Sequence, residues 1–275
     1  MEKIFFSIIT PVFNGKNFTD DYIISLKSQL YKNWEAIIID DNSSDDSYKY
    51  LKDLTKDDRR FRVYKNNIKK HIKSPYSARN YGLKKIRGSY ICFLDIDDFW
   101  LPEKLKSDFN FLEKFNSDIL VGNFIKTNQD LTKGYLKPRL NFLEIKFQLI
   151  FCNPFPILTT TIKKEIIGNV NFKAIYHEDY IFWREIIEKN KEKNLNLKID
   201  INKSQNAIYR VSKDSLSFNR FKTIFWLKNC YDYFKTNKFL IFIILLIRIV
   251  FFIVEKLALS FKIIKYKDIK LSKNF

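Results

Sequence analysis

The sequence predicts an α/β fold: a Rossmann-like, mostly parallel sheet flanked by helices, followed by a helical C-terminal tail. Three observations lead there. Short apolar runs recur and stop at acidic residues, helical spacings fill the gaps between them, and a nearly unbroken apolar stretch follows residue 238. A length of 275 residues suits one large body with a tail better than two equal domains.

Residues 4–10 form an apolar run rich in Ile and Phe that Pro11 ends, and residues 34–39 form a second that Asp40 and Asp41 end. Both read as buried strands. Between them, Ile23, Leu26 and Leu30 keep helical spacing across residues 18–30, supplying the crossover that a parallel pair requires. Ser43, Ser44 and Asp46 resemble a helix start, continued by Tyr48, Leu51 and Leu54. Residues 61–64 predict a third strand, 78–86 a helix, and 90–94 a fourth strand closed by Asp95. Pro102 and Glu103 open a further helix through Phe115, Pro suiting a first turn whose N–H would be unpaired anyway. Beyond residue 119 the alternation loosens into mixed elements, including 158–162, 178–188 and 207–211. A catalytic body is expected over residues 1–220, in two halves of about 1–118 and 119–220 with no hard boundary, and a tail over 221–275.

The formal charge of +18 raises nucleic acid or an anionic membrane as a partner. Lys, Ile, Asn and Phe are abundant along the whole chain, so the charge reads as compositional bias rather than a patch. With no nucleic-acid module and no basic-aromatic strip, nucleic acid is not an expected partner. Cys92, Cys152 and Cys230 lie too far apart to suggest a disulfide framework or a zinc site, which fits a reducing cytoplasm. His71 and His177 are the only histidines, so any chemistry must rest on carboxylates. The chain runs from Met1 into a strand without an export signal.

Ligands of open parallel sheets sit beyond the carboxyl ends of the strands. Asp40 and Asp41 fall at one such end, and Asp95, Asp97 and Asp98 at another. In a strand, residues two apart share a face, so Asp95 and Asp97 can aim both carboxylates at one spot while Asp98 turns away. Mg²⁺ and Mn²⁺ take oxygen ligands and share one or two carboxylates with substrate phosphates. The competing reading is an acidic turn in which Asp98 caps the helix that Pro102 opens.

The segment Leu94-Asp95-Ile96-Asp97-Asp98-Phe99-Trp100 resembles the Asp-x-Asp motif of family 2 glycosyltransferases, which share the GT-A fold. Ser7-Ile8-Ile9-Thr10-Pro11-Val12-Phe13-Asn14 resembles that family's first strand and loop, and Ile39-Asp40-Asp41-Asn42-Ser43 its nucleotide-binding strand end. Ser77-Ala78-Arg79-Asn80 and Tyr176-His177-Glu178-Asp179 match two further segments. Several motifs in the right order are more specific than any one, and together they span most of residues 4–218.

The resemblance implies inverting transfer of a sugar from a nucleotide-sugar, first of all a UDP-sugar, to a hydroxyl of a glycan or glycolipid acceptor. Cell-surface polysaccharide or lipid-linked oligosaccharide synthesis is the implied setting, with Mn²⁺ or Mg²⁺ as cofactor. Carried onto this chain, Asp97 is the direct metal ligand, and Asp95 contacts the ribose or reaches the metal through water. Thr10, Pro11, Val12, Asn14 and Ile96 line the donor, with the backbone of residues 10–12 along the base. Asp40 or Asp41 holds the base. Arg79 lies near the diphosphate, its bland alternative being a surface salt bridge. Asp179 is the general base, and Glu178 caps or positions. His177 is read as a polar neighbour of the site rather than a ligand, although a late-chain histidine near the metal is compatible with the fold. Trp183 either stacks on sugar or packs in the core, where Trp100 is expected. Arg210, in Tyr209-Arg210-Val211-Ser212 with Ser215-Leu216-Ser217 following, approaches the diphosphate as a lid orders. One departure is that Lys73, Ser74, Pro75 and Tyr76 stand where relatives carry Gly before the Arg.

Residues 239–254 are apolar apart from Arg248 and as a helix would measure about 24 Å, short of a bilayer core. With Lys235, Lys238, Lys256, Lys262, Lys265 and Lys267 flanking it, a helix lying on the inner face of the cytoplasmic membrane is expected over a tilted span. Packing on the body or on a second subunit is the bland alternative. Two other functions fit the sequence: a transferase acting on polyprenyl phosphate, whose ionised acceptor needs no base, and a non-enzymatic basic nucleotide- or nucleic-acid-binding protein.

Overall fold

The computed structural model describes residues 4–68, 74–136, 148–149, 151–211, 220–260 and 267–268. His71, Lys73, Ser212, Ser215, Leu216, Ser217, Lys262 and Lys265 lie outside them.

The expected parallel core is present. β1 (Phe6–Val12) lies between β2 (Trp34–Asp40) and β4 (Tyr90–Phe93), and β3 (Phe61–Lys65) forms the edge beyond β2, all parallel. Every residue of β1 and β2 is buried, as the uninterrupted apolar runs require of strands covered on both faces. Alternate side chains serve two cores. Ile9, Ile37, Ile91 and Phe93 face one cluster, while Ile8, Ile38, Cys92 and Leu94 face the other.

Four crossover or flanking helices follow the sequence with shifted ends. α1 (Thr19–Lys27) comes after a 3-10 turn at Lys16–Phe18 and stops before Leu30, which is exposed. α2 (Ser47–Thr55) begins after Asp46, and it is Asp45 whose carboxylate accepts the Ser47 N–H, at 3.1 Å. α3 (Tyr76–Leu83) starts two residues earlier than expected, and α4 (Lys104–Phe115) matches closely. Gly82 lets α3 lie close on β1 and β2: a Cβ there would meet Ile9 Cγ2 at 2.6 Å. That contact sets the height of Arg79, one turn earlier in the same helix.

The second half completes the same sheet. β6 (Ile119–Gly122) and β10 (Ile199–Asn202) run with β4, but β9 (Thr160–Lys163) is inserted between β4 and β6 and runs against both. Its register, Cys92 opposite Thr161 and Tyr90 opposite Lys163, places the chain leading into Thr160 at the carboxyl ends of its neighbours. A smaller sheet, absent from the sequence reading, joins β5 (Phe99–Trp100), β7 (Ile125–Thr127), β8 (Lys133–Leu136), β11 (Ala207–Arg210) and β12 (Lys267–Asp268). Trp100 is core, its indole N–H donating to Leu158 O at 3.0 Å.

After the short α5 (Lys164–Ile167), α6 (Glu178–Glu192), α7 (Arg220–Tyr233) and α8 (Lys238–Ser260) cover the first core cluster. Leu227, Cys230 and Tyr231 of α7 and Ile241 and Ile244 of α8 are buried in it. The tail therefore begins as part of the body, because these side chains close over α6.

Candidate active site

β4 stops at Phe93, so Asp95 and Asp97 do not alternate along a strand as expected. They occupy a tight turn closed by the Asp98 N–H to Asp95 O, 3.0 Å. Asp98 is buried and accepts the Arg210 backbone N–H at 3.0 Å, tying the turn to β11 instead of capping α4. Burial, then Asp97 and Asp95, raises the Asp98 carboxyl well above the usual range. Asp97 is half-buried, and desolvation, followed by the neighbouring Asp95 charge, pushes it up to about 6.

Arg79 is not a surface residue. It is 3% exposed, and its guanidinium spans two carboxylates: Nη2 donates to both Asp95 oxygens at 2.8 and 3.1 Å, and Nη1 to Glu178 Oε1 at 2.5 Å. Burial opposes its charge, but Asp95, Glu178 and Asp179 outweigh that and raise its pKa. The fork expected to face a diphosphate is engaged by protein here, with Nε buried and unpartnered among the described residues. Glu178 is buried at the start of α6, where desolvation raises its carboxyl to about 7 against the pull of Arg79. It is held there by Arg79, one residue before Asp179. Asp179, the next residue, is half-buried and accepts Asn153 Nδ2–H at 2.7 Å.

At the neighbouring strand ends, Asp41 N–H donates to Val12 O at 2.7 Å, and Asn66 Nδ2 donates to Asp41 Oδ1 at 2.9 Å and to Ser77 Oγ at 2.8 Å. Asp40 accepts the Ser43 N–H at 3.3 Å, while its Oδ1 is buried without a partner among the described residues. Asn14, at φ 50°, accepts the Ser44 N–H at Oδ1 and donates its own backbone N–H to Ser43 Oγ, joining the two loops.

Several expected contact residues turn inward. Thr10 shares a hydrogen bond with the Tyr22 hydroxyl at 2.7 Å, Val12 is fully buried, and Ile96 packs its side chain over Gly15. Strand alternation along β1 turns Thr10 and Val12 to the same core, and Pro11 is buried as well. Trp183 is also core, at 0% exposure among Phe93, Phe155 and Phe182, so it offers no platform to a sugar. His177 sits at φ 61° just before α6, its ring 6.0 Å from that of Trp226. Arg210 is 6% exposed, bound to Asp21 at 2.7 Å and stacked over Phe18, and its charge draws the Asp97 carboxyl down.

The profile of Glycosyl transferase family 2 matches residues 7–215. The chain belongs to this family. It is a glycosyltransferase, and its GT-A fold is the one that the resemblance implied. An uncharacterized glycosyltransferase of Haemophilus influenzae is 33% identical over 233 residues, covering 84% of this chain and 88% of that protein. WfgD of Escherichia coli, a UDP-Glc:alpha-D-GlcNAc-diphosphoundecaprenol beta-1,3-glucosyltransferase, is 30% identical, covering 82% of this chain and 84% of WfgD. Among solved structures, S. aureus TarS with UDP-GlcNAc superposes with a TM-score of 0.63 at 20% identity, over 77% of this chain and 60% of the TarS chain, so this glycosyltransferase spans less than two thirds of it. The mannosyltransferase PcManGT from Pyrobaculum calidifontis, solved with GDP-Man and Mn²⁺, gives a TM-score of 0.63 at 12% identity, over 86% of this chain and 66% of that one.

Asn66 and Asn153 were invisible to sequence reasoning in this glycosyltransferase, because a loop amide carries no periodic or charge signal. The Arg79 bridge is energetically exposed to mutation. Arg79→Ala strands one buried and one largely buried carboxylate, an expected loss of about 3–5 kcal/mol. In a domain of this size the thermal midpoint should fall by about 6–20 °C. Arg79→Lys should recover little of it, since an ammonium cannot span both carboxylates. Thermal denaturation followed by circular dichroism reads both, and an unchanged midpoint would show that the bridge carries no stability.

Proposed function

We propose that this glycosyltransferase moves a sugar from a UDP-sugar, with inversion, onto a hydroxyl of a lipid-linked glycan at a membrane surface. The observation that carries the reading is the Arg79 bridge: one buried guanidinium joins Asp95 of the acid turn to Glu178, the neighbour of Asp179. A donor-side acid cluster and a carboxylate suited to act as base therefore share one rim. WfgD and WfaP, each named for UDP-Glc and an acceptor linked to diphosphoundecaprenol, support the substrate class. AmsB of Erwinia amylovora, named for amylovoran biosynthesis, supports the polysaccharide setting.

In this reading Asp179 removes the acceptor proton as the hydroxyl attacks the anomeric carbon opposite the diphosphate. Asp40, with its unmatched buried oxygen, receives the uracil N3–H, and Asp41 is held beside it by Asn66. The backbone of residues 10–12 and Asn14 lines the nucleoside. Arg210 turns its unpartnered Nε to the diphosphate. Residues 1–118 thus form the nucleotide half and 119–220 the acceptor half. Among the described residues no group of three His, Cys, Asp or Glu side chains could hold a metal ion. The acid turn nonetheless suits a shared ion, because Asp97 and Asp95 present hard oxygen donors and the Asp97 carboxylate accepts from its own backbone N–H. Mn²⁺ or Mg²⁺ held there would neutralise charge on the departing diphosphate.

The deciding experiment is a panel of nucleotide-sugars with Mn²⁺ or Mg²⁺ and a GlcNAc-diphosphate lipid, with the anomeric configuration of the product read by NMR. Inversion with a UDP-sugar is expected. Retention would overturn the mechanism.

Among the described residues no helix is long and apolar enough to cross a membrane. α8 nevertheless exposes Phe239, Phe242, Leu246, Val250, Ile253 and Leu257, a stripe at helical intervals opposite the buried Ile241 and Ile244. With Lys235 and Lys238 at its start, that stripe fits peripheral attachment to anionic lipid on the inner face of the cytoplasmic membrane. Flotation with vesicles containing phosphatidylglycerol should retain the protein and release Phe242→Asp/Val250→Asp. Equal flotation of both proteins would refute the attachment.

A further inference from the structure

We propose that Asn153 is the positioning residue of the base, an inference that rests on Asp179 filling that role. The reversed direction of β9 delivers the segment before Thr160 to the carboxyl ends of β4 and β6, the edge at which the acid turn lies. Asn153 belongs to that segment. Its Oδ1 accepts the Phe155 backbone N–H at 3.0 Å, which settles the orientation of the amide, and Nδ2 then donates to Asp179 Oδ2 at 2.7 Å. The opposite flip would set oxygen against carboxylate and NH₂ against N–H.

The segment is anchored on both sides of this contact. Phe155 is fully buried with its ring 5.9 Å from that of Trp183, one turn along α6 from Asp179. Upstream, the Tyr180 hydroxyl donates to Leu149 O at 2.6 Å. Asn153 therefore reaches Asp179 from a fixed base, pinning one carboxylate oxygen and orienting the other. A neutral amide suits this task. A Lys or Arg at the same distance would hold the carboxylate as a tight ion pair and make it a poorer proton acceptor, whereas an amide restrains the rotamer with no added charge.

Asn153→Asp separates the two hydrogen bonds of the side chain. It keeps the acceptor for Phe155 N–H, and so the local turn, but replaces the donor to Asp179 with a second carboxylate. With UDP-glucose and a GlcNAc-diphosphate lipid, kcat should fall about 10- to 100-fold while the KM for UDP-glucose stays unchanged. A wild-type kcat in Asn153→Asp would overturn the proposal. A double-mutant cycle supplies a readout that a merely structural role would not move: Asn153→Ala should lower the wild-type rate but add nothing to Asp179→Asn. Equal losses in both backgrounds would assign Asn153 to the fold alone. Full activity of Asp179→Asn by itself is a separate outcome, removing the base and with it the residue said to hold it.

Discussion

Asp179→Asn is expected to cut transfer to a hydroxyl acceptor by about 10²- to 10⁴-fold, with the KM for the nucleotide-sugar within about twofold of wild type. The substitution keeps shape and hydrogen-bonding reach but removes the atom that takes the proton. The Arg79 bridge should survive the substitution, because its hydrogen bonds go to Glu178 and Asp95, not to Asp179. Steady-state kinetics with a GlcNAc-diphosphate lipid measures the effect. The same variant distinguishes the polyprenyl-phosphate alternative: a phosphate nucleophile is already ionised, so under that reading the rate would survive.

Asp97→Ala, and removal of divalent ions from the wild type by a chelator, should each lower transfer by about 10²-fold or more. Adding Mn²⁺ back should restore the wild type and leave the variant slow. The reasoning is electrostatic. Asp97 is pushed up to about 6 by burial and by Asp95, a cost that a bound cation would relieve and that alanine abolishes along with the proposed ligand. Normal turnover by Asp97→Ala would move the chemistry away from this turn.

The parallel half of the sheet was legible because strands buried on both faces leave continuous apolar runs, as in Ile8-Ile9 and Ile37-Ile38-Ile39. The acids at their ends were legible for the same reason, since a run that stops at Asp40 or near Asp95 marks a carboxyl edge. The detailed geometry was not. Spacing alone put Asp95 and Asp97 on one strand face, yet the strand ends at Phe93 and a turn presents them. Resemblance singled out the pair without needing a strand to carry it. Leu30 kept the helical interval but lies beyond the end of α1 in solvent. The smaller sheet escaped notice because its strands run only two to four residues, too short to show an alternation. Trp183 could not be assigned from sequence, since an indole suits a core and a sugar equally well. Arg79 shows how a motif can name a residue without naming its partners: Glu178 lies 99 positions away along the chain.

The one strand that opposes its neighbours also bears on how such enzymes diversify. Strand pairing holds Thr160–Lys163 from both flanks, so a change in the segment upstream leaves the ladder itself intact. Under the proposed function, acceptor preference would be open to revision at that margin while β1, β2 and β4 keep their register.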